Sequence, residues 1–398
     1  MKRILFVDDE ARILDGIRRM LYSNNKRWEM EFVTSGEAAL EACERGPFDM
    51  VISDMRMPGM DGATLLGHIQ DRFPSTARVI LSGYSEIALV TRVVKVAHRF
   101  ITNPCSASEL QTTIERVCLL QDLLSGAEMR GLIGSIGELP SLSNIYASLT
   151  QAVKDPETPV KQIAGIIEQD MAISAKVLQL ANSAFFGLAR SVTNVSTAVS
   201  FLGIDTIKNL VLITETFKAF VPDKRIPLKE YESLQTSAHR TACIAVKLPV
   251  ESSTPRDIVV LAALLHDIGR LVLASKMPEQ FCSTLELARK RGCEPFEAEE
   301  ELLGTSHAEI GAYLLGLWGL PHLAIEAIAH HHRPTRIPHS AFDCSVALYV
   351  AELLAHQPTA EIGDMSASQL RESERACLDE LGVLARFPEF HELALLAS

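Results

Sequence analysis

A doubly wound α/β domain with a five-stranded parallel sheet, followed by an all-α domain, is the architecture this sequence predicts. Three observations carry it. Over the first 125 residues, short β-rich apolar runs alternate with stretches whose apolar residues recur at helical spacing. From about residue 138 the strand signals largely disappear and helical patterns succeed one another. Between the two lies SGAEMRGLIGSIGELPSL, with four glycines and a proline, which reads as a linker centred on 126–137.

In the first segment the strand candidates are Arg3 to Val7, Glu29 to Val33, Met50 to Ser53, Val79 to Ser82 and Arg99 to Thr102. Helix candidates lie between and after them, at Ala11 to Tyr22, Gly36 to Cys43, Ala63 to Arg72, Ser85 to Ala97 and Ala107 to Leu124. Five βα units of this kind build a parallel sheet whose functional groups collect at the carboxyl ends of the strands. What stands at those ends is acidic: Asp8 and Asp9 after the first strand, Asp54 after the third. Converging carboxylates repel one another, and a hard divalent cation such as Mg²⁺, held by oxygen ligands, relieves this. Capping and loop roles are the plainer alternative, since Asp is common where a strand turns into a helix.

The pattern as a whole resembles the receiver domain of two-component response regulators, a flavodoxin-like fold, over its full length. VDDE at 7–10, SDMRMPGMDG at 53–62, LSG at 81–83 and FITNP at 100–104 carry the resemblance. It implies that Asp54 is the phosphoacceptor, attacking the phosphorus of a phosphohistidine on a sensor kinase or phosphotransfer protein. It also implies Mg²⁺ held by Asp8, Asp9, Asp54 and the Arg56 carbonyl, with Ser82 and Phe100 as the switch pair. One position departs from the family: Asn103 replaces the usual lysine before Pro104. An amide still donates a hydrogen bond to a phosphoryl oxygen but brings no charge, and charge-assisted bonds are roughly twice as strong.

The last helical run of this segment continues through Ile114, Val117, Leu120, Leu123 and Leu124, more apolar surface than one domain needs, which predicts docking onto the next domain. Beyond the linker, helical patterns run over Ser143 to Val153, Val160 to Gln169, Ile173 to Asn182, Val195 to Leu202, Asp205 to Phe220 and Tyr231 to Leu248. LAALLHDIGR at 261–270 then sets His266 and Asp267 at the end of a run, Ile258 to Leu265, that is apolar on all sides. An imidazole and a carboxylate in such a setting are costly unless they satisfy one another, a metal or neighbouring polar groups. Ten of the twelve histidines lie at or beyond His239, and His266, Asp267, His307, His330, His331 and His332 are the set, with Glu352, that could ligate a di-metal centre for phosphodiester hydrolysis. A hydrogen-bonded polar core, with some of these residues at helix ends, is the other reading.

Residues 138–335 resemble an HDOD domain, a relative of the HD and HD-GYP phosphohydrolases that generally lacks their activity. The resemblance rests on ELPSLS at 138–143, IIEQDMAISAKVLQLANSAFFG at 166–187, AVSFLGIDTIKNL at 198–210, ALLHDIGRLVL at 263–273, GTSHAEIGAYLLGLWGLP at 304–321 and AHHHRP at 329–334. Against the hydrolase pattern, Thr236 and Ser237 stand where an early histidine belongs, with His239 two or three residues off and turned away. Arg270 replaces a lysine, and HHRPTRIP carries no GYP loop. The resemblance therefore implies a degenerate HD site at His266, Asp267, His307, His330, His331 and Glu352, with Asp267 holding the His266 ring, no metal and no catalysis. A cyclic-dinucleotide phosphodiesterase under receiver control is the alternative.

The last residues, 336–398, repeat the helical habit at Phe342 to His356, Ser366 to Leu381 and Glu389 to Leu396, an extension expected to pack on the core without adding chemistry. Glu372 to Glu380 reads as a solvated charged face. A net charge of −12 without clustered Lys and Arg argues against nucleic acid as a partner. Eight scattered cysteines without a CxxC pair read as reduced, mostly buried thiols. The start, MKRILFVDDE, meets acidic residues before any apolar segment, and no run is expected to reach the roughly 20 apolar residues of a membrane span. The expectation is a cytoplasmic response regulator, free or as a homodimer, whose helical domain engages a protein partner.

Overall fold

The computed structural model describes residues 1–22, 27–82, 96–102, 104–124, 126–136, 139, 143–153, 155, 158–182, 191–204, 206–207, 224–251, 254–339, 342–356 and 370–396. Five strands, β1 (Lys2–Val7), β2 (Trp28–Val33), β3 (Met50–Asp54), β4 (Ala77–Ser82) and β5 (Arg99–Thr102), form one parallel sheet in the order β2-β1-β3-β4-β5. Helices α1 (Ala11–Met20), α2 (Gly36–Arg45), α3 (Gly62–Arg72) and α4 (Ala107–Leu123) accompany it. The predicted helix Ser85 to Ala97 lies, but for its last two residues, outside the described residues.

Alternation along β1 explains the layering. Ile4 and Phe6 enter the core shared with α1 and α4, while Leu5 and Val7 enter the core shared with α2 and α3. Side chains begin the helices where the sequence supplies oxygen acceptors: Ser35 takes the Ala38 amide, Asp61 the Thr64 amide and Ser106 the Glu109 amide. The register pairs Val7 with Ser53 and Asp54 with Leu81, so the β1 and β3 ends finish side by side where the strand order reverses.

The rest is helical. Helix α5 (Ala127–Gly134) precedes α6 (Ser143–Ala152), α7 (Val160–Ile167), α8 (Met171–Ala181), α9 (Val195–Leu202), α10 (Leu228–Lys247), α11 (Arg256–Leu265) and α12 (Ile268–Lys276). After these come α13 (Pro278–Arg291), α14 (Pro295–Leu303), α15 (His307–Leu317), α16 (His322–Ala329), α17 (Cys344–Ala355), α18 (Glu372–Glu380) and α19 (Phe387–Leu395). Every residue of α8 is buried, as are seven of the eight from Ile258 to Leu265, so these helices form the centre of the domain. Most of the predicted Asp205 to Phe220 helix, and the end of LANSAFFG, lie outside the described residues.

Two expectations need correction. The stretch predicted as a linker contains α5, and one of its glycines marks close packing: a β-carbon on Gly134 would lie 2.2 Å from the Pro74 carbonyl oxygen. Contrary to the reading that no run reaches membrane-span length, Arg256–Lys276 is long and apolar enough by composition. It is mostly buried inside the domain, and a helix surrounded by other helices needs apolar residues all round just as a membrane span does.

The two domains share one hydrophobic core. A single cluster runs from Ile4 and Phe6 through Ile114 and Leu120 of α4 to Leu315 and Leu317 of α15 and on into α11 and α17. At the contact, Leu120 presses on Gly316, where any β-carbon would come 2.4 Å from the leucine. Arg99 Nη2 donates to the Gly316 carbonyl at 2.8 Å, and Arg78 Nη2 to the Gly134 carbonyl at 2.6 Å. The docking predicted for the apolar run of α4 is therefore met by α15.

Candidate functional site

At the sheet's carboxyl edge, Asp8 is 2% exposed, Asp54 half-buried and Asp9 exposed. Asp54 Oδ2 accepts the Arg56 amide at 2.6 Å, which curls the following loop back over the strand end and brings the Arg56 backbone beside the carboxylate. Gly62 is required there, because a β-carbon would sit 2.2 Å from the Asp54 carbonyl oxygen. Asp8 Oδ1 accepts the Glu10 amide at 2.9 Å, but its Oδ2 is buried with no hydrogen-bond partner. Burial pushes the Asp8 carboxyl up to about 6, the Glu10 amide opposing and the charges of Asp54 and Asp9 adding to it.

The magnesium that a receiver implies fits this donor set. An orphaned buried carboxylate oxygen beside a second carboxylate is what a hard cation satisfies, and Asp8, Asp54 and the Arg56 carbonyl would hold it, with Asp9 at the rim. Phe100 is half-buried and packs against the cores on both faces of the sheet. Ser82 ends β4. Asn103 lies outside the described residues.

The second site forms where α11 gives way to α12. His266 and Asp267 occupy the break between the helices, both buried. Asp267 does not hold the His266 ring, as the sequence led us to expect: their nearest approach is 3.6 Å, while His266 Nδ1 donates to the Ala263 carbonyl at 2.8 Å. The helix end supplies a free carbonyl within reach of its own residue, and that bond wins. His331 repeats the arrangement, Nδ1 donating to the Ile328 carbonyl at 2.7 Å.

A ring whose Nδ1 carries the proton presents a bare Nε2 lone pair. Those of His266 and His331 are both buried without a partner, and the two rings meet edge to face at 5.2 Å. His307 follows the same logic through a carboxylate. Its Nδ1 lies 2.6 Å from Glu299 Oε2, which fixes the ring and frees Nε2 to accept from His332 Nε2 at 2.8 Å. The ligating atoms of His307, His331 and His332 all lie within 4.8 Å of one another.

Electrostatics follow from burial. It holds His266, His331 and His332 below the usual imidazole range, the last two well below. For Asp267 burial acts upward, but the surrounding His266, Arg270, His307 and His331 outweigh it and keep the carboxyl below the usual range. Glu352 goes the other way, raised well above an ordinary carboxyl by burial and by the Asp267 charge.

The sequence-predicted set is therefore regrouped. His266, Asp267, His307 and His331 come together, with Asp267 Oδ1 3.3 Å from His307 Nε2. His330, at the end of α16, lines a different cavity with Arg99 and Leu120, and His332 takes its place in the cluster. Glu352 stands at the edge, 3.7 Å from His332 Nδ1. His239 is on the far side of α10 among Glu168, Leu261 and Leu264, turned away as its register predicted.

Glu299 was not singled out in the sequence, where it is one of four glutamates between 297 and 301. A cavity of about 870 Å³ opens beside the cluster, lined by Asp267, Arg270, His332, Arg333, Tyr349 and Glu352 among others. Arg371 and Glu374 line it too, so the C-terminal extension contributes to the site, and Glu374, read as part of a solvated face, is buried and paired with Arg371.

Comparison with known proteins agrees with both halves. Residues 4–115 match the response regulator receiver domain family and residues 139–334 the HDOD domain family. An uncharacterized protein of Treponema pallidum is 27% identical over 238 residues, 58% of this chain and 45% of that one. The response regulator protein FleR of Pseudomonas aeruginosa is 32% identical over 130 residues, 32% of this chain and 27% of FleR. The chain thus spans less than half the length of either relative. A virulence factor from Campylobacter jejuni shares the fold, with TM-score 0.52 and 23% identity over 69% of this chain and all of that one. With an acidic sheet edge at one end and an HD-related helical core at the other, the chain belongs to the response regulators that join an N-terminal receiver domain to a C-terminal HDOD domain.

Proposed function

We propose that phosphorylation of Asp54 shifts this cytoplasmic regulator between two populations, and that the HDOD domain reports the shift by engaging or releasing a protein partner. A sensor histidine kinase or phosphotransfer protein presents the phosphohistidine. The Asp54 carboxylate attacks the phosphorus as the phosphorus–nitrogen bond breaks. Mg²⁺, when bound, neutralises charge on the transferred group. Ser82 and Asn103 contact the phosphoryl oxygens, and Phe100 changes rotamer with Ser82.

The observation that supports this reading is the course of α15. Its last turn is tied to Arg99, the neighbour of Phe100 on β5, and its first residue is His307 in the buried histidine cluster. The helix is eleven residues long, about 16 Å from end to end. A change at β5 thus acts on a lever that ends in the output core. The test is beryllofluoride treatment of wild type and Asp54→Asn, followed by partner pull-down and by hydrogen exchange over 307–317. Both should respond in wild type alone; identical behaviour in the two proteins sinks the reading.

One observation favours a second reading, a metal-dependent phosphodiesterase acting on a cyclic dinucleotide. Backbone carbonyls and Glu299 leave three buried imidazole Nε2 atoms pointing their lone pairs into one cluster beside Asp267. The bland account, a self-satisfied polar core, does not explain the unpartnered Nε2 atoms of His266 and His331. Metal analysis of the purified chain separates the two. Stoichiometric Fe, Mn or Zn lost in His331→Ala supports the enzyme, and a folded protein without metal retires it.

A further inference from the structure

The described part of the molecule carries a third cluster that neither reading uses. On α10, His239 and Cys243 stand one turn apart with Nε2 3.7 Å from the thiol sulfur. Glu168, just past α7, sets its carboxyl near the His239 ring. The three residues line a cavity of about 210 Å³ whose other walls are mostly apolar, among them Leu178, Val195, Leu261 and Leu264.

From this geometry we infer that Cys243 is a reactive thiol, activated by His239 beside Glu168, that is oxidised by small hydroperoxides and so gives the HDOD domain a second, redox input. The arrangement is that of a nucleophile and its base, with a carboxyl lining the same cavity. The mostly apolar walls favour a small uncharged hydroperoxide over a charged oxidant, and the exposed His239 leaves the space open to solvent. The thiol proton passes to His239 Nε2. The thiolate sulfur then attacks one peroxide oxygen, the O–O bond breaks, and the departing oxygen takes the proton back from His239. Cysteine becomes sulfenic acid, and the peroxide is reduced to an alcohol or water.

The rest of the chain sharpens the contrast. Burial pushes the thiols of Cys43, Cys118 and Cys344 up to about 11 or 12 and raises those of Cys105 and Cys377. The His239 contact lowers that of Cys243 against its own burial, while the same contact raises His239. Glu168 is the other titratable group lining the cavity; Asp257, bonded to Asn194, and Arg256, bonded to the Val246 carbonyl, stand at its rim. A sulfenic oxygen in this space presses on Leu261 and Leu264 of α11, the helix whose last residue, Leu265, precedes His266.

The test treats the full chain with hydrogen peroxide or cumene hydroperoxide, traps sulfenic acid with dimedone and maps it by peptide mass spectrometry. Labelling of Cys243 should run about tenfold or more ahead of the partly buried Cys282 and Cys293, and fall by a similar factor in H239Q. Equal rates among the three cysteines overturn the inference, as does an unchanged rate in H239Q. Should H239Q fail to fold, iodoacetamide alkylation of wild type against pH decides. A half-maximal rate at Cys243 below those of Cys282 and Cys293 supports the assignment, and a coincident or higher one overturns it.

Discussion

Gly269 lies directly beneath His307: a β-carbon at residue 269 would come 1.9 Å from the His307 carbonyl oxygen and 2.9 Å from the Gly311 amide nitrogen. The close approach of α12 to α15 is what seats the His266–Asp267 break against the His307 ring. Backbone cannot yield as a flexible side chain can, so Gly269→Ala has to separate the helices. We expect a loss of about 3 kcal/mol or outright misfolding of the output domain, read from urea unfolding. Stability within about 0.5 kcal/mol of wild type would contradict the contact.

Asp8 predicts a pH dependence of the receiver. Its folded-state carboxyl stands at about 6 against an ordinary 3.8, so the folded protein holds this proton more tightly than the unfolded chain. The stabilisation is therefore full below the ordinary value and is lost as pH rises through about 6, by an amount on the order of 3 kcal/mol without a divalent cation. Thermal melts at pH 4.5 and 7 should show this slope, and millimolar Mg²⁺ should remove most of it at pH 7. Asp8→Asn should flatten the slope and abolish the magnesium response.

The histidine cluster has the opposite sign. His266, His331 and His332 are held neutral by burial, so acid protonates the unfolded chain first. Their contribution is complete above the ordinary value of 6.5 and lost as pH falls below it, at about 1.4 kcal/mol per pH unit for each histidine. Chemical unfolding between pH 7 and 5 should show a steep acid loss that His331→Leu reduces by close to one proton. A slope unaffected by that substitution would mean that His331 is not held neutral in the fold.

Arg99 tests the lever. Arg99→Ala removes the side chain that bonds the Gly316 carbonyl while leaving Asp54 and its loop untouched. Beryllofluoride should still bind, and its effect on hydrogen exchange over 307–317 should fall severalfold. An undiminished effect would place the coupling elsewhere along the shared core.

Much of this was legible along the chain, because period and punctuation are local properties. The five strands fall within two residues of their predicted starts and one of their ends, and α9 spans its predicted range. Ser35 and Asp61 start helices because each carries an oxygen acceptor at the helix entry. The site residues were readable by type and only partly by place. His330, His331 and His332 are consecutive, and which of them face the cluster depends on where α16 ends: its last helical residue is Ala329, and the turn beyond it carries His331 and His332 inward and leaves His330 outside.

The sequence by itself determined the two-domain architecture, the acidic edge with Asp54, and the presence of an imidazole and carboxylate at the end of a buried apolar run, since each depends on residue type and spacing within one stretch. Only the tertiary structure decided that Gly134 is a packing contact, that Glu299 orients His307, and that Arg99 reaches Gly316. Those are contacts between residues remote in the chain or on different elements. They form only once a hydrophobic core has fixed which helix faces which, and no local pattern records that choice.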